Sequence, residues 1–556
     1  MQHKFLKSFI FIGLIGIVGL YSCKKKIDDA YLNPNAATVQ PVESLLPGVI
    51  GGFTWFSASA GTTYGVVVDG TFVGRYIQYY GINTSADTWG QMSMLGGVVD
   101  NGGSVWATVY FGQGNNVNRI IQWGAEQEKW DYVGAGLAIR AWGWLELTQE
   151  YNWGILREAW QPNKTSFHYE DQPEILDSCR AVCHRAISFL NRTDGNVSQA
   201  NLAKGDAYFN NGDVNKWKKF VYGILARSYA LLSYKNIFLS EHLADSAIKY
   251  ASLSCATNAD NITVKVAGGL QTGQNNYWGP YRGNFGAYRQ GDFVARLMSG
   301  DDTTAFAGVS DPRRWYMLSE NINGTFKGFK PWLGSSGLAT NDYPKNFWRN
   351  PSPTSTSPCP QTGVCTIDSS RYLYQNTSPW PMMTASEMQF IIAEAALRKG
   401  DKPAALTAYT NAISLNFDML ANDYPQNIPA GRQITGPIKA AYLANAAIVP
   451  SSAGLTLTHI MNQKYIALYI WGSLETWADM RKFHYVDTDP ATNKKVYAGF
   501  TPPSGSDLIS TNNGELTYRM RPRFNSEYLY DIPELTRIGA YQYPNYNTFK
   551  PWFAIP

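Results

Sequence analysis

The stretch TASEMQFIIAEAALRKGDKPAALTAYTNAIS occupies residues 384–414 and predicts two consecutive helices. Thr384 and Glu387 have the spacing of a capping box, in which a hydroxyl and a carboxylate each satisfy a free amide at the helix start. Gly400 is placed to end the first helix, and Asp401 is placed to cap the second. Two helices joined this closely pack antiparallel, with their small residues at the contact. The pair therefore predicts one tetratricopeptide-like unit.

Apolar residues at helical spacing predict further helices on both sides of this pair. They are expected at 105–123, 130–151, 172–190, 214–234, 240–253 and 456–483, the last with a kink at Gly472. No strict 34-residue repeat recurs along the sequence, so we expect a degenerate array. The predicted fold class is mainly α, with tetratricopeptide-like helix pairs as a scaffold and long irregular loops between them.

The beginning of the chain has the features of an export leader with a lipoprotein cleavage site. A basic start precedes an apolar run at 9–20, and Cys23 is followed by three lysines. The run is shorter than the roughly 20 residues that span a bilayer. We expect residues 1–22 to be removed as a signal peptide, Cys23 to carry a lipid, and residues 23–40 to tether the body to a membrane. The alternative is an ordinary signal peptide with an incidental cysteine.

The composition combines many aromatic residues with few charged ones. The 556 residues include 35 Tyr, 18 Trp and 25 Phe, whereas only 16% are charged. A net charge of +4, from 47 basic and 43 acidic residues, gives no indication of a nucleic-acid partner. Aromatic residues in this number cannot all lie in a core, and exposed Trp and Tyr suit stacking surfaces.

Motifs for nucleophilic, metal-dependent or phosphate-binding chemistry do not occur in the sequence. It contains no Gly-x-Ser-x-Gly, no His-Glu-x-x-His and no Gly-rich loop ending in Lys. We therefore predict a protein with no cofactor, no metal site and no catalytic residues. Hydrolysis by two carboxylates stays open, because their distance in space cannot be read from the sequence.

Residues 255–383 lose the helical period and are predicted to be loops that carry a ligand surface. A sugar ring packs its apolar face on Trp or Tyr, while its hydroxyls bond to Asn, Asp and Arg side chains. The stretch 277–284 offers this mixture on a turn-rich loop. The predicted ligand-binding residues are Trp89, Tyr277, Trp278, Tyr281, Arg282, Asn284 and Trp332. The alternative for each aromatic ring is that it anchors its own loop in the protein body.

Two further groups of residues have predicted structural roles. Cys359 and Cys365 close a short Pro-containing loop, and a disulfide between them suits an exported protein. Glu475, Asp479 and Arg481 lie among apolar residues of a predicted helix. They form either a catalytic group or a buried ion-pair network, and the network is favoured because unpaired buried charges are very costly.

Several motifs follow one another in a specific order along the chain. They are Asp28-Asp29, Tyr31-Leu-Asn-Pro-Asn35, Leu45-Leu-Pro-Gly48, Tyr151-Asn-Trp-Gly-Ile-Leu-Arg-Glu-Ala159, Asp311-Pro-Arg313, the stretch 384–400 and Arg521-Pro-Arg-Phe-Asn-Ser-Glu527. With these motifs the chain resembles the SusD/RagB family of surface lipoproteins of Bacteroidota, and more closely its second SusD-like branch.

The resemblance implies a single SusD-like domain at 41–556. Its helical scaffold would cover 41–254 and 384–486, its ligand-binding loops 255–383, and an irregular C-terminal segment 487–556. It also implies a lipid-anchored protein on the outer membrane at the cell surface. There it would capture a glycan, or a peptide as RagB-type proteins do, for a SusC-like TonB-dependent transporter. The sequence also leaves open a helical scaffold that binds protein and a glycoside hydrolase on a helical frame.

Overall fold

The computed structural model describes residues 40–57, 63–83, 87–93, 102–270, 272–349 and 368–556. The predicted signal peptide, Cys23 and most of the tether lie outside the described residues, as do Cys359 and Cys365. Among the helices of the described ranges, none combines the length and the hydropathy that a bilayer crossing requires.

Helices form most of the regular structure, which confirms the predicted mainly α fold class. In the first half of the chain they are α1 (Leu46–Gly51), α2 (Val66–Tyr76), α3 (Ser104–Ala107), α4 (Gly114–Glu126), α5 (Trp130–Tyr151), α6 (Gln172–Leu190), α7 (Gln199–Asp206), α8 (Val214–Ala230), α9 (Ile237–Ser240) and α10 (Leu243–Leu253). The later helices are α11 (Asp292–Ser299), α12 (Arg314–Met317), α13 (Ala385–Arg398), α14 (Lys402–Asp423), α15 (Gly436–Leu443), α16 (Leu457–Ala467), α17 (Ser473–Lys482), α18 (Phe524–Tyr530) and α19 (Ile532–Arg537).

Two of the predicted helices have the expected bounds. Helices α5 and α6 begin and end where the sequence predicts. Almost every side chain of α5 is buried, because this helix packs against neighbours on several sides. The predicted helix at 105–123 is instead interrupted by a π-helical turn, Thr108–Gly112, between α3 and α4.

The predicted helix at 456–483 is two helices, α16 and α17, and the break between them covers residues 468–472, ending at Gly472 where a kink was expected. Within the break Ile470 has a φ of 78°. A right-handed helix needs a negative φ, so the helix does not continue through Ile470. A positive φ is also uncommon for a β-branched residue. Ser473 begins the second helix directly after Gly472.

The long helices pack in a continuous series of neighbours. Helix α4 packs on α5, α5 on α6, α6 on α8, α8 on α10, α10 on α13, and α13 on α14. Helix α16 then packs on α13, while α17 contacts α2 and α5. This series is the helical scaffold, and the apolar residues between its members form the core.

The pair α13–α14 has the predicted caps with one difference. The Thr384 hydroxyl accepts a hydrogen bond from the Glu387 amide at 3.2 Å, and the Asp401 carboxylate accepts one from the Ala404 amide at 3.1 Å. The Glu387 carboxylate does not complete a capping box, because it pairs with Arg227 on α8. The carboxylate therefore links two helices.

The strands are short and occur in antiparallel pairs. They are β1 (Phe56–Ser57), β2 (Thr63–Tyr64), β3 (Tyr80–Ile82), β4 (Ile262–Val264), β5 (Tyr288–Gln290), β6 (Trp380–Met383), β7 (Thr488–Asp489) and β8 (Lys494–Lys495). The pairs are β1–β2, β3–β5, β4–β6 and β7–β8.

The loop-rich region is held to the scaffold by two of these pairs. In the β4–β6 pair Ile262 lies opposite Met383, so the region leaves the scaffold and returns to it at one place. In the β3–β5 pair Tyr80 lies opposite Gln290, which connects the same region to the segment after α2. Residues Val42–Pro556 form one compact unit. The boundaries between scaffold and ligand-binding loops within it stay a prediction.

Candidate functional site

The predicted ligand-binding stretch 277–284 is a pair of tight turns fixed against residues 376–378. The Gly279 amide donates to the Asn276 carbonyl at 3.0 Å, and the Arg282 amide donates to the Gly279 carbonyl at 3.1 Å. The Asn376 side chain accepts from the Tyr281 amide at 2.9 Å. These hydrogen bonds give the stretch a defined shape although it contains no helix or strand.

Trp278 lies in the core and has no exposed ring face. Its ring stacks on Phe285 at a centroid distance of 4.8 Å and meets Trp380 edge-on at 4.6 Å. Its carbonyl accepts a hydrogen bond from the Trp348 indole at 2.8 Å. Trp278 therefore anchors the loop, and we do not keep it as a residue that touches ligand.

Three other predicted rings are also almost completely buried. Tyr281 is 7% exposed, and its hydroxyl donates to the Leu270 carbonyl. Trp89 is 5% exposed and packs on Phe72 at 4.5 Å. Trp332 is 6% exposed. The Trp89 and Trp332 segments meet, because a Cβ on Gly90 would lie 2.7 Å from the Trp332 amide nitrogen. These rings stabilise the loops that carry them.

The remaining predicted residues, Tyr277, Arg282 and Asn284, lie together at the surface with one residue that sequence analysis missed. The Arg282 guanidinium lies 3.5 Å from the ring centroid of Trp55 and 5.3 Å from that of Tyr277. The two rings are 6.2 Å apart, and the Asn284 side chain donates to the Tyr277 carbonyl at 3.1 Å. We call Trp55, Tyr277, Arg282 and Asn284 the aromatic platform.

Trp55 joins the platform from a distant part of the sequence. It follows α1 and precedes the β1–β2 pair, and its side chain is half-buried. Gly65 approaches it closely: a Cβ at Gly65 would lie 2.6 Å from the Trp55 Cα. The sequence signal for Trp55 is its position close to Phe53 and Phe56 after the apolar residues of α1, which does not distinguish a surface ring from a core ring.

Partial burial shifts the pKa values of two platform residues without changing their charge near pH 7. Burial lowers the pKa of the Arg282 guanidinium to about 10, so it stays a cation near pH 7. Burial also raises the pKa of the Tyr277 phenol to about 12, so this group stays neutral. The platform thus offers two aromatic rings, a cation beside both of them, and an exposed amide side chain.

A small cavity adjoins Trp380, whose ring also contacts Trp278 in the loop. Trp142, Trp380 and Trp471 line it together with the carboxylates of Glu146 and Glu475. Its volume of about 20 Å³ is enough for one water molecule and is too small for a sugar ring. We therefore place no ligand there.

The carboxylates at this cavity belong to a buried network of charges. The Arg227 guanidinium lies 2.7 Å from a Glu475 oxygen and 3.7 Å from a Glu146 oxygen. Burial, with the neighbouring carboxylate as a further cause, raises the pKa of Glu146, and burial also raises the pKa of Glu475. A single guanidinium does not neutralise all of the neighbouring carboxylates, which favours a proton on some of them. Such a partly protonated network suits a structural role.

The predicted network of Glu475, Asp479 and Arg481 is divided in the structure. Asp479 pairs with Lys464 at 2.7 Å and with Lys482 at 2.9 Å. Burial raises the pKa of Asp479, but these two ammonium groups outweigh it and hold the pKa below its usual value. Glu475 is thus paired with Arg227 on α8, and Asp479 is paired with Lys464 on α16 and with Lys482 on its own helix.

Arg481 departs from the prediction, because its bonds go to backbone carbonyls. It stacks 3.5 Å from the Trp477 ring centroid and donates to the carbonyls of Gln149 and Tyr518 at 2.8 and 2.9 Å. Burial lowers its pKa to about 9. Arg481 therefore ties α17 to α5 and to the C-terminal segment through hydrogen bonds.

Comparison with known proteins gives one family and many structures of the same fold. The family model SusD-like_2, described as "Starch-binding associating with outer membrane", matches residues 65–502. No curated protein matches this chain.

Within the described residues, no group of three or more His, Cys, Asp and Glu side chains is arranged to hold a metal ion.

Solved structures resemble this chain over almost its full length. A SusD homolog from Bacteroides fragilis has a TM-score of 0.65 at 18% identity, with 92% of this chain and 100% of that chain covered. A chitin-binding SusD homolog from Flavobacterium johnsoniae has a TM-score of 0.60 at 15% identity, covering 92% and 98%. A SusD/RagB family protein from Bacteroides thetaiotaomicron has a TM-score of 0.60 at 17% identity, covering 93% and 99%.

Proposed function

Because this chain belongs to the SusD-like family, we propose that it is a cell-surface lipoprotein that binds a glycan and delivers it to a SusC-like TonB-dependent transporter. The family is associated with the outer membrane, and its model carries a starch-binding description. The structural relatives include a chitin-binding protein. We propose a glycan as the ligand, without assigning which polymer it comes from.

The observation that carries the proposal is the aromatic platform. Half-buried rings at Trp55 and Tyr277 can contact the apolar faces of sugar rings, because such faces are rich in C–H groups. Arg282 and Asn284 lie beside them and supply donors for sugar hydroxyls. The tight turns and the buried Trp278 anchor keep this arrangement in place without a ligand, which reduces the entropy lost on binding.

The membrane attachment in this proposal depends on Cys23. A lipid on this cysteine, with residues 23–40 as a tether, would hold the folded body at the outer membrane. The transporter would then receive ligand from a body attached to the same membrane. Delivery, the transporter partner and the lipid anchor are parts of the proposal that the family relationship supports.

We propose binding without catalysis. The buried carboxylates near the loop are engaged with Arg227, Lys464 and Lys482. The platform itself contributes a cation, a neutral phenol, an indole and an amide. None of these four groups is an acid or base that would titrate near pH 7.

A binding and turnover panel tests the proposal. Calorimetry of the purified protein with malto-oligosaccharides, chito-oligosaccharides and short peptides should give saturable heats for one glycan class, and chromatography should show that the glycan stays intact. Binding only to peptides would replace the glycan with a peptide ligand. Release of shorter products would show a hydrolase, and capture of the transporter in pull-downs from outer membranes would support delivery.

A further inference from the structure

A polar cleft of about 430 Å³ lies apart from the aromatic platform and shares no lining residue with it. Its walls are residues 302–305 after α11, residues 456–459 at the start of α16, and residues 492–499 at and after the β7–β8 pair. Small-molecule sites in proteins have volumes of roughly 300–1,000 Å³. The cleft is therefore large enough for a small ligand.

Hydrogen bonds between the three walls hold the cleft in shape. Arg296 donates to the Thr303 hydroxyl at 2.8 Å and to the Gly499 carbonyl at 2.9 Å, which joins the first wall to the third. The Thr458 hydroxyl donates to the Lys495 carbonyl at 3.3 Å, and the Thr458 amide donates to the Asp489 carboxylate at 3.3 Å. The second wall is thus fixed to the third as well.

Hydroxyl groups dominate the lining. Five threonines, from all three walls, line the cleft: Thr303, Thr304, Thr456, Thr458 and Thr492. The hydroxyls of Thr303, Thr304 and Thr458 donate to oxygens of the protein, and their own oxygens can still accept hydrogen bonds from the hydroxyls of a ligand. His459 adds an aromatic ring, oriented by a 2.7 Å hydrogen bond between its Nδ1 and the Thr456 hydroxyl.

The exposed ammonium group of Lys494 can hold an anion at the cleft. Lys494 and Lys495 line it against a single carboxylate, Asp302. Lys495 is half-buried and donates to the Phe500 carbonyl at 3.3 Å, whereas the Lys494 side chain is exposed. The start of α16 borders the same space, and its Thr458 amide is already bonded to the Asp489 carboxylate.

We propose that this cleft is a second binding site, and that its ligand is a hydroxylated carboxylate such as a uronic acid. The carboxylate would lie at Lys494 and the hydroxyls at the threonines. This inference goes beyond the glycan platform, because the cleft has a different lining and its ligand class carries a negative charge.

Calorimetry of the purified protein with D-glucuronate, D-glucose and inorganic phosphate tests the ligand class. Glucuronate should bind at least tenfold more tightly than glucose, which lacks the charge, and than phosphate, which lacks the carbon-bound hydroxyls. No binding of glucuronate would overturn the proposal. Equal affinity for phosphate and glucuronate would also overturn it, because simple attraction of anions would then suffice.

Substitutions in and away from the cleft show where glucuronate binds. Lys494→Gln should weaken glucuronate binding at least fivefold, and Ala498→Leu, which narrows the cleft, should weaken it as well. Lys204→Gln, at an exposed lysine of α7, is the matched control and should bind as the unmodified protein does. Unchanged affinity in both cleft variants would place the ligand elsewhere. Loss of glucuronate binding in Trp55→Ala would place it at the platform, and either result overturns the proposal.

Discussion

Arg227 and Glu387 form a bidentate ion pair between α8 and the start of α13. The Nε–Oε1 distance is 2.7 Å and the Nη2–Oε2 distance is 2.9 Å, with both side chains buried. The same guanidinium reaches Glu146 on α5 and Glu475 on α17. One cation thus joins four helices of the scaffold.

Replacing this cation should destabilise the fold. Arg227→Met leaves three buried carboxylates without their counter-ion, so we expect the free energy of unfolding to fall by about 3–5 kcal/mol. Urea denaturation followed by circular dichroism measures the change. The control is Lys399→Met, whose ion pair with Asp245 is 39% and 50% exposed and should matter little. Equal midpoints for the two variants would contradict a structural role for Arg227.

Removing either ring of the aromatic platform should weaken glycan binding. Trp55→Ala and Tyr277→Ala should each cost about 1 kcal/mol, which corresponds to roughly a fivefold higher Kd. Calorimetry with the glycan found in the binding panel measures this change. Tyr541→Ala, at a ring that is 54% exposed, is the matched control. A double platform variant with the original Kd would remove these rings from the site.

Substitution of Trp278 should lower the free energy of unfolding more than it lowers the affinity for ligand. Its ring is fully buried, so Trp278→Ala should lower the free energy of unfolding by about 3–5 kcal/mol. Trp278→Phe keeps most of the apolar contact and should lower it less, while retaining glycan affinity. Denaturation and calorimetry on the same samples separate the two effects. Loss of affinity in a stably folded Trp278→Phe variant would show that the indole contacts ligand.

The buried carboxyl of Asp69 should make stability depend on pH. Burial raises its pKa to about 7, whereas in the unfolded chain the value is near 4. The folded state therefore holds a proton that the unfolded state releases between these values. This contribution to stability is present below about pH 4 and is lost as the pH rises through about 7.

The variant Asp69→Asn isolates this contribution, because an amide cannot titrate. As the pH rises from 5 to 8, the unfolding free energy of the unmodified protein should fall relative to that of Asp69→Asn. Urea denaturation across that range measures it. A difference that stays constant with pH would show that Asp69 keeps an ordinary pKa in the folded state.

Lipid attachment at Cys23 can be measured directly. Mass spectrometry of the protein from its native membrane should find an acylated N-terminal cysteine at position 23. Cys23→Ser should abolish the acyl mass and release the protein from the membrane fraction. Lys24→Ser keeps the cysteine and should stay anchored. An unmodified N-terminus in the unaltered protein would remove the anchor from the proposal.

The scaffold could be predicted from the sequence because its helices repeat their apolar residues at a fixed spacing. The bounds of α5 and α6 follow from that spacing alone. The platform could not be predicted in the same way, because an irregular loop has no period. Tyr277 is half-buried and the next residue, Trp278, is fully buried, although both look alike in the sequence. The contact between Trp55 and Arg282 joins segments that no local pattern relates.

The β4–β6 pair places Ile262 opposite Met383, so the two ends of the long segment between these strands lie side by side on the scaffold. When the two ends of a segment are already joined, extra length between them adds little entropic cost. Changes of length at the exposed turns of this segment should therefore cost little, whereas its buried Arg313 has to keep its hydrogen bonds to Asn416 on α14 and Gln463 on α16. If the proposed function holds, ligand preference can thus change at those turns while the buried contacts to the helices are preserved.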